Sequence, residues 1–83
     1  MKTIYLVIFQ SKCGIHEVVS VHSTIDTANK RLEVVALEYA KQNNLEKHLM
    51  FVPGLKYLIA YLVTPNLPKD VYWWHILEME LDQ

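Results

Sequence analysis

Ser23-Thr24-Ile25-Asp26-Thr27-Ala28 is where the chain changes its period, and the fold follows from that change. Upstream, the residues read with the period of two of strands; downstream, Ile25, Ala28, Leu32, Ala36 and Tyr39 recur at steps of three and four, which places them on one face of a helix. Thr24 carries the hydroxyl of an N-cap, and Asp26 puts a carboxylate at the positive end of the helix dipole. Asn43-Asn44 supplies a stop, so the spacing predicts a helix from residue 25 to residue 42 or 43. At about 100° per residue, Val34 and Leu37 fall opposite the main stripe, beside Lys30 and Lys41, and form a small second apolar patch.

Working outward toward the N-terminus, residues 2–9 are rich in β-branched and aromatic types, residues 10–14 have turn character, and residues 16–23 alternate again. This predicts a hairpin. The first strand is apolar on both sides, which suits a central position. Strict alternation in the second puts His16, Val18, Ser20 and His22 on one face and Glu17, Val19, Val21 and Ser23 on the other, the mixed pattern of an edge.

Toward the C-terminus, residues 45–55 have no clear period. Leu45-Glu46-Lys47-His48-Leu49 fits one helical turn, and Pro53-Gly54 marks a turn before the next element. Residues 56–63 alternate as a strand, with a short buried helix as the alternative; residues 64–70, with two prolines, read as a loop; residues 71–81 read as a long final strand. Alternation groups Val71, Trp73, Leu77, Met79 and Leu81, interrupted by His75, against Tyr72, Trp74, Ile76, Glu78 and Glu80. We assign Trp73 to the inner side and Tyr72 and Trp74 to the second face, which residues 45–55 would cover if Trp74 were core. The expected architecture is a single α+β domain over residues 1–83. Its antiparallel β-sheet has three to four strands (a β-hairpin, then one or two further strands after the helix), with one main helix packed on one face.

Composition agrees. Eighty-three residues accommodate one domain, and 52% hydrophobic residues with two Gly and three Pro is the opposite of a disordered composition. A formal net charge of −1 removes the basic excess that drives phosphate binding, so nucleic acid is not the expected partner. The charge is polarised: residues 1–69 sum to +3 and residues 70–83 to −4. The apolar run at residues 4–9 is too short for a secretory signal, and no run approaches the roughly 18 residues of a membrane span, so the expected location is the cytoplasm. One cysteine forms no internal disulfide.

Chemistry-bearing constellations are sparse. Cys13, His16, His22 and His75 do not have the four-ligand spacing of structural zinc, and a Cys13/His16 nucleophilic pair has no accompanying signature. With Gly14 and Gly54 as the two glycines there is no phosphate-binding glycine loop, and His-Glu-x-x-His and Gly-x-Ser-x-Gly are absent. We therefore expect no catalytic residue, no cofactor and no metal. The apolar inventory points elsewhere: both sides of the first strand, the Val34/Leu37 patch and the Tyr72/Trp74 face exceed what one helix covers. The expected contact surface is Val34, Leu37, Tyr72 and Trp74, with Glu78, Glu80 and Asp82 as an acidic end that orients a partner.

Three stretches carry a resemblance: Lys2-Thr3-Ile4-Tyr5-Leu6-Val7 opening the hairpin, Ser23 to Ala28 opening the helix, and Ile76-Leu77-Glu78-Met79-Glu80-Leu81-Asp82 ending the last strand. In this order the chain resembles small β-β-α-β proteins of phages and bacteria, a group that includes anti-CRISPR inhibitors. The resemblance covers the two ends and not residues 45–63, and it transfers no site residue. It implies a non-enzymatic protein-binding module that inhibits a host defence complex in the host cytoplasm by steric blockade or interference with assembly. The alternative is a homodimeric structural or regulatory domain; a small metal-dependent sensor or enzyme stands behind both.

Overall fold

A computed structural model describes residues 2–65 and 70–82 and confirms the α+β class. Strand β1 (Lys2–Ser11) turns through Gly14, whose φ of 109° is one that side chains disfavour, into the antiparallel strand β2 (His16–His22). Helix α1 (Ile25–Gln42) begins at Thr24, whose hydroxyl accepts the Thr27 amide at 3.2 Å. It ends where Asn44 takes a left-handed φ of 56° and the Leu45 amide returns to the Ala40 carbonyl at 2.8 Å. A single 3₁₀ turn (Glu46–His48) then leads into β3 (Leu49–Pro53), β4 (Leu58–Val63) and β5 (Val71–Leu81). Residues 66–69 of the expected loop lie outside the described residues.

The sheet has five antiparallel strands in the order β2-β1-β5-β4-β3, one more than the upper expectation. The extra strand is β3. Residues 49–53 pair with residues 58–62 across the Pro53–Leu58 turn, so this segment widens the sheet instead of lying over its second face. Gly54 is required there, because a Cβ would stand 2.7 Å from the Tyr57 carbonyl oxygen.

One layer of core lies between α1 and the sheet. Ala28, Leu32, Ala36 and Ala40 pack on Val7, Phe9, Ala60, Leu62, Trp74 and Ile76. The alanines bring the helix backbone close, and a ring cluster fills one end: Trp74 lies 4.9 Å from Phe9 and 5.5 Å from Tyr39, and Phe9 stacks on Tyr72 at 5.8 Å.

Two expected orientations are corrected. Trp74, 2% exposed, faces the helix, so Trp73 is on the other side. In β2, a bulge at Val19 lets Ser20 oppose Val7 and Val18 oppose Ile8, so strict alternation fails. His16, Val18 and Val21 share one face, and Ser20 and His22 share the helix side.

The molecule measures 47 × 23 × 22 Å. Its radius of gyration, 13.4 Å, exceeds the roughly 11.8 Å of a compact chain of this length. Part of the length is an arm: β2 pairs with β1 as far as Tyr5 and β4 pairs with β5 as far as Trp74, so β1 and β5 run on together to the Lys2–Leu81 pair.

Candidate functional site: the open face of the sheet

Residues directly opposite in a ladder point to the same side, so the pairings define the face turned away from α1. At its centre are Ile4 and Leu6 of β1 with Trp73, Leu77, Met79 and Leu81 of β5, around Ile8, which is itself buried. Flanking them are Val18 and Val21 of β2 on one side, and Ile59, Tyr61 and Val63 of β4 with Met50 and Val52 of β3 on the other. Val21 is 57% exposed, Met50 58% and Leu77 45%, whereas a sheet between two layers would bury all three. Among the described strand residues of this face, Lys2, paired with Leu81 at the end of the arm, is the one formal charge.

A small polar cluster interrupts the apolar surface. The Gln10 Oε1 accepts the Trp73 indole N–H at 3.1 Å and the His75 Nε2–H at 2.7 Å, which fixes both rings on the sheet. Desolvation holds His75 below its ordinary 6.5, and His16, paired with Gln10, adds to that shift. Both effects favour the neutral ring, which still donates through Nε2.

Beside His75 the sheet splits. Beyond the Ala60–Trp74 pair, β4 and β5 diverge around a cleft of about 490 Å³ lined by Leu55, Lys56, Tyr57, Ile59, His75 and Ile76. Tyr57 spans the split, donating its hydroxyl to Glu78 at 2.8 Å; partial desolvation and this bond push its pKa up to about 12. Lys56 Nζ stands 3.9 Å from the same carboxylate. Asn29 of the helix secures the turn by accepting the Leu58 amide at 2.9 Å and donating to the Lys56 carbonyl at 3.4 Å.

The residues expected to form the contact surface are dispersed. Val34 and Leu37 are exposed on the outer side of α1, away from the sheet. Trp74 is core and offers no surface, and Tyr72 is half-buried against Phe9 and Tyr39, so the expected Tyr72/Trp74 face is replaced by one built around Trp73. Glu78, Glu80 and Asp82 are exposed; Glu78 and Glu80 project on the helix side of β5, and Glu78 is engaged by Tyr57. The open face is the one expected to lie inward: the Trp73, Leu77, Met79 and Leu81 set, grouped correctly by alternation, faces away from the helix.

The Cys13 and histidine constellation is also dispersed. Cys13 donates to Asp70 at 3.3 Å and contacts Ser11 Oγ at 2.9 Å, tying the β1–β2 turn to the start of β5. The Asp70 carboxyl feels desolvation that raises its pKa. Hydrogen bonds from Cys13, Tyr72 and the Val71 amide outweigh that effect and lower it, and the Tyr72 hydroxyl moves up to about 12 in return. His22 bonds Ser20 on the helix side. Among the described residues no three His, Cys, Asp or Glu side chains converge on one point, and no helix is long and apolar enough to cross a membrane.

No known family, curated protein or solved structure matches the chain.

Proposed function

We propose that this protein is a non-enzymatic protein-binding module whose contact surface is the helix-free face of its sheet. The observation that supports the reading is the apolar surface of this face, running from Val21 across Leu6 to Leu77 and from Trp73 across Tyr61 to Met50 on either side of the Gln10–His75 cluster, much of which the fold leaves in water. Contiguous apolar surface of this extent is a mark of an interaction site, and aromatic groups such as Trp73 and Tyr61 are the types enriched in binding hot spots. A phage inhibitor that blocks a host-defence complex is the form of binding module implied by the resemblance of the two chain ends, which transfers no site residue.

The test is a photo-crosslinking amino acid at position 77, on the open face, compared with one at position 37, on the outer side of the helix. The reading predicts a discrete protein adduct from position 77 and none from position 37. Adducts from position 37 alone would contradict it.

A further inference from the structure

What covers the open face is constrained by its area, by the surface of the whole chain and by its charge. The five strands have 10, 7, 5, 6 and 11 residues. At about 3.3 Å per residue and about 4.8 Å between strands they cover a plan area of about 600 Å². Two such faces in contact remove about 1,200 Å² from water, the lower end of the range for specific, stable protein interfaces. The accessible surface of 5714 Å² also exceeds by about 600 Å² the roughly 5,100 Å² expected of a compact monomer of 9.7 kDa, a surplus to which the extended β1–β5 arm contributes.

Charge narrows the occupants. A face whose described strand residues carry only Lys2, at one end, offers nothing to complement an acidic or basic partner, but meets its own copy without like-charge conflict. Glu78 and Glu80 project on the opposite side of β5, so a face-to-face pair does not oppose them. Edge-to-edge pairing of strands would leave the apolar face wet.

We propose that the open face packs against the same face of a second copy, forming a two-fold sheet-on-sheet dimer with the helices outside. The dimer rests on the reading of this face as a protein-contact surface and names its partner. Aligned sheets pack about 10 Å apart, which interdigitates Trp73, Leu77 and Tyr61 with the partner's apolar side chains and produces the isologous contact of a two-fold pair.

The experiment is light scattering over a dilution series, reaching on the order of 100 µM, for the wild type, Leu77→Lys and Leu37→Lys. The wild type and Leu37→Lys should show twice 9.7 kDa and dissociate together on dilution. Leu77→Lys, which places an ammonium in the apolar contact, should weaken association by more than about tenfold while keeping its circular dichroism. If that variant fails to fold, Val21→Lys, at a more exposed position of the same face, takes its place. A wild type of 9.7 kDa throughout overturns the dimer. So does a dimer untouched by the face variants. A monomer that still gives a heterologous adduct from position 77 overturns the dimer alone; a monomer with an adduct only from position 37 overturns the contact surface as well.

Discussion

Trp73 and Trp74 are neighbours in sequence and opposites in environment, so truncating each in turn measures which side of the sheet carries the folding energy. Trp74 is 2% exposed and enclosed by Phe9, Tyr39 and the alanine stripe of α1. Its replacement by alanine leaves a cavity that the backbone-close helix cannot collapse into, and costs about 3–5 kcal/mol. Total stability for a chain of this length is about 4–12 kcal/mol, so Trp74→Ala removes a large share of it. Trp73 is partly exposed and is held by its bond to Gln10, so Trp73→Ala costs the monomer about 1–2 kcal/mol. The assay is urea unfolding followed by circular dichroism at low protein concentration. With a slope of about 1 kcal/mol per molar urea, the midpoints should fall by about 3–5 M and about 1–2 M. If Trp74→Ala proves unfolded in buffer, Trp74→Phe, which retains a ring against Phe9 and Tyr39, should fall between wild type and that limit. Equal losses, or a larger loss for Trp73→Ala, would refute the assignment of the faces.

Asn29→Ala leaves the Leu58 amide and Lys56 carbonyl without their partner and should cost about 1–2 kcal/mol in urea unfolding, with the loosened β3–β4 turn exchanging amide hydrogens faster. Gly54→Ala forces a Cβ against the Tyr57 carbonyl oxygen and should lower stability by more than about 1 kcal/mol, measured the same way. Because desolvation and then His16 hold the folded His75 below 6.5, the unfolded chain binds this proton more readily. The contribution of His75 is therefore complete above about pH 6.5 and is lost as pH falls through the folded value. Gln10, Trp73, Ile8, His16 and Lys56 are the groups around this ring, and after desolvation it is His16 that opposes its protonation. In thermal melts below that pH, His75→Gln should flatten this part of the acid loss.

The helix was legible because its signals are local: the Thr24 cap, the Ala28-Leu32-Ala36 spacing and the Asn43-Asn44 stop need no tertiary information. The β1–β2 hairpin and β5 were legible for the same reason, and so was the outward placement of Val34 and Leu37. Strand β3 was not. Residues 49–53 become a strand by pairing with β4, and nothing within the segment distinguishes that outcome from a cover over the sheet. The faces of β2 were misread because one bulge residue, Val19, breaks a period of two without a sequence mark. The faces of β5 were misread because both are apolar near the tryptophans. The choice between them is made by Phe9 and Tyr39, which reach Trp74 from β1 and α1. Misassigning Trp74 moved the candidate surface to the buried side, and the inward assignment of Trp73 hid the open one.

The central claim, that the helix-free face is a protein-contact surface, is tested most directly by acrylamide quenching of Trp73 fluorescence in a Trp74→Phe background over a dilution series. The account predicts that Trp73 is shielded at high protein concentration and becomes quenchable on dilution, and that Leu77→Lys is quenchable throughout. Equal quenching at every concentration, together with no protein adduct from position 77, would contradict it.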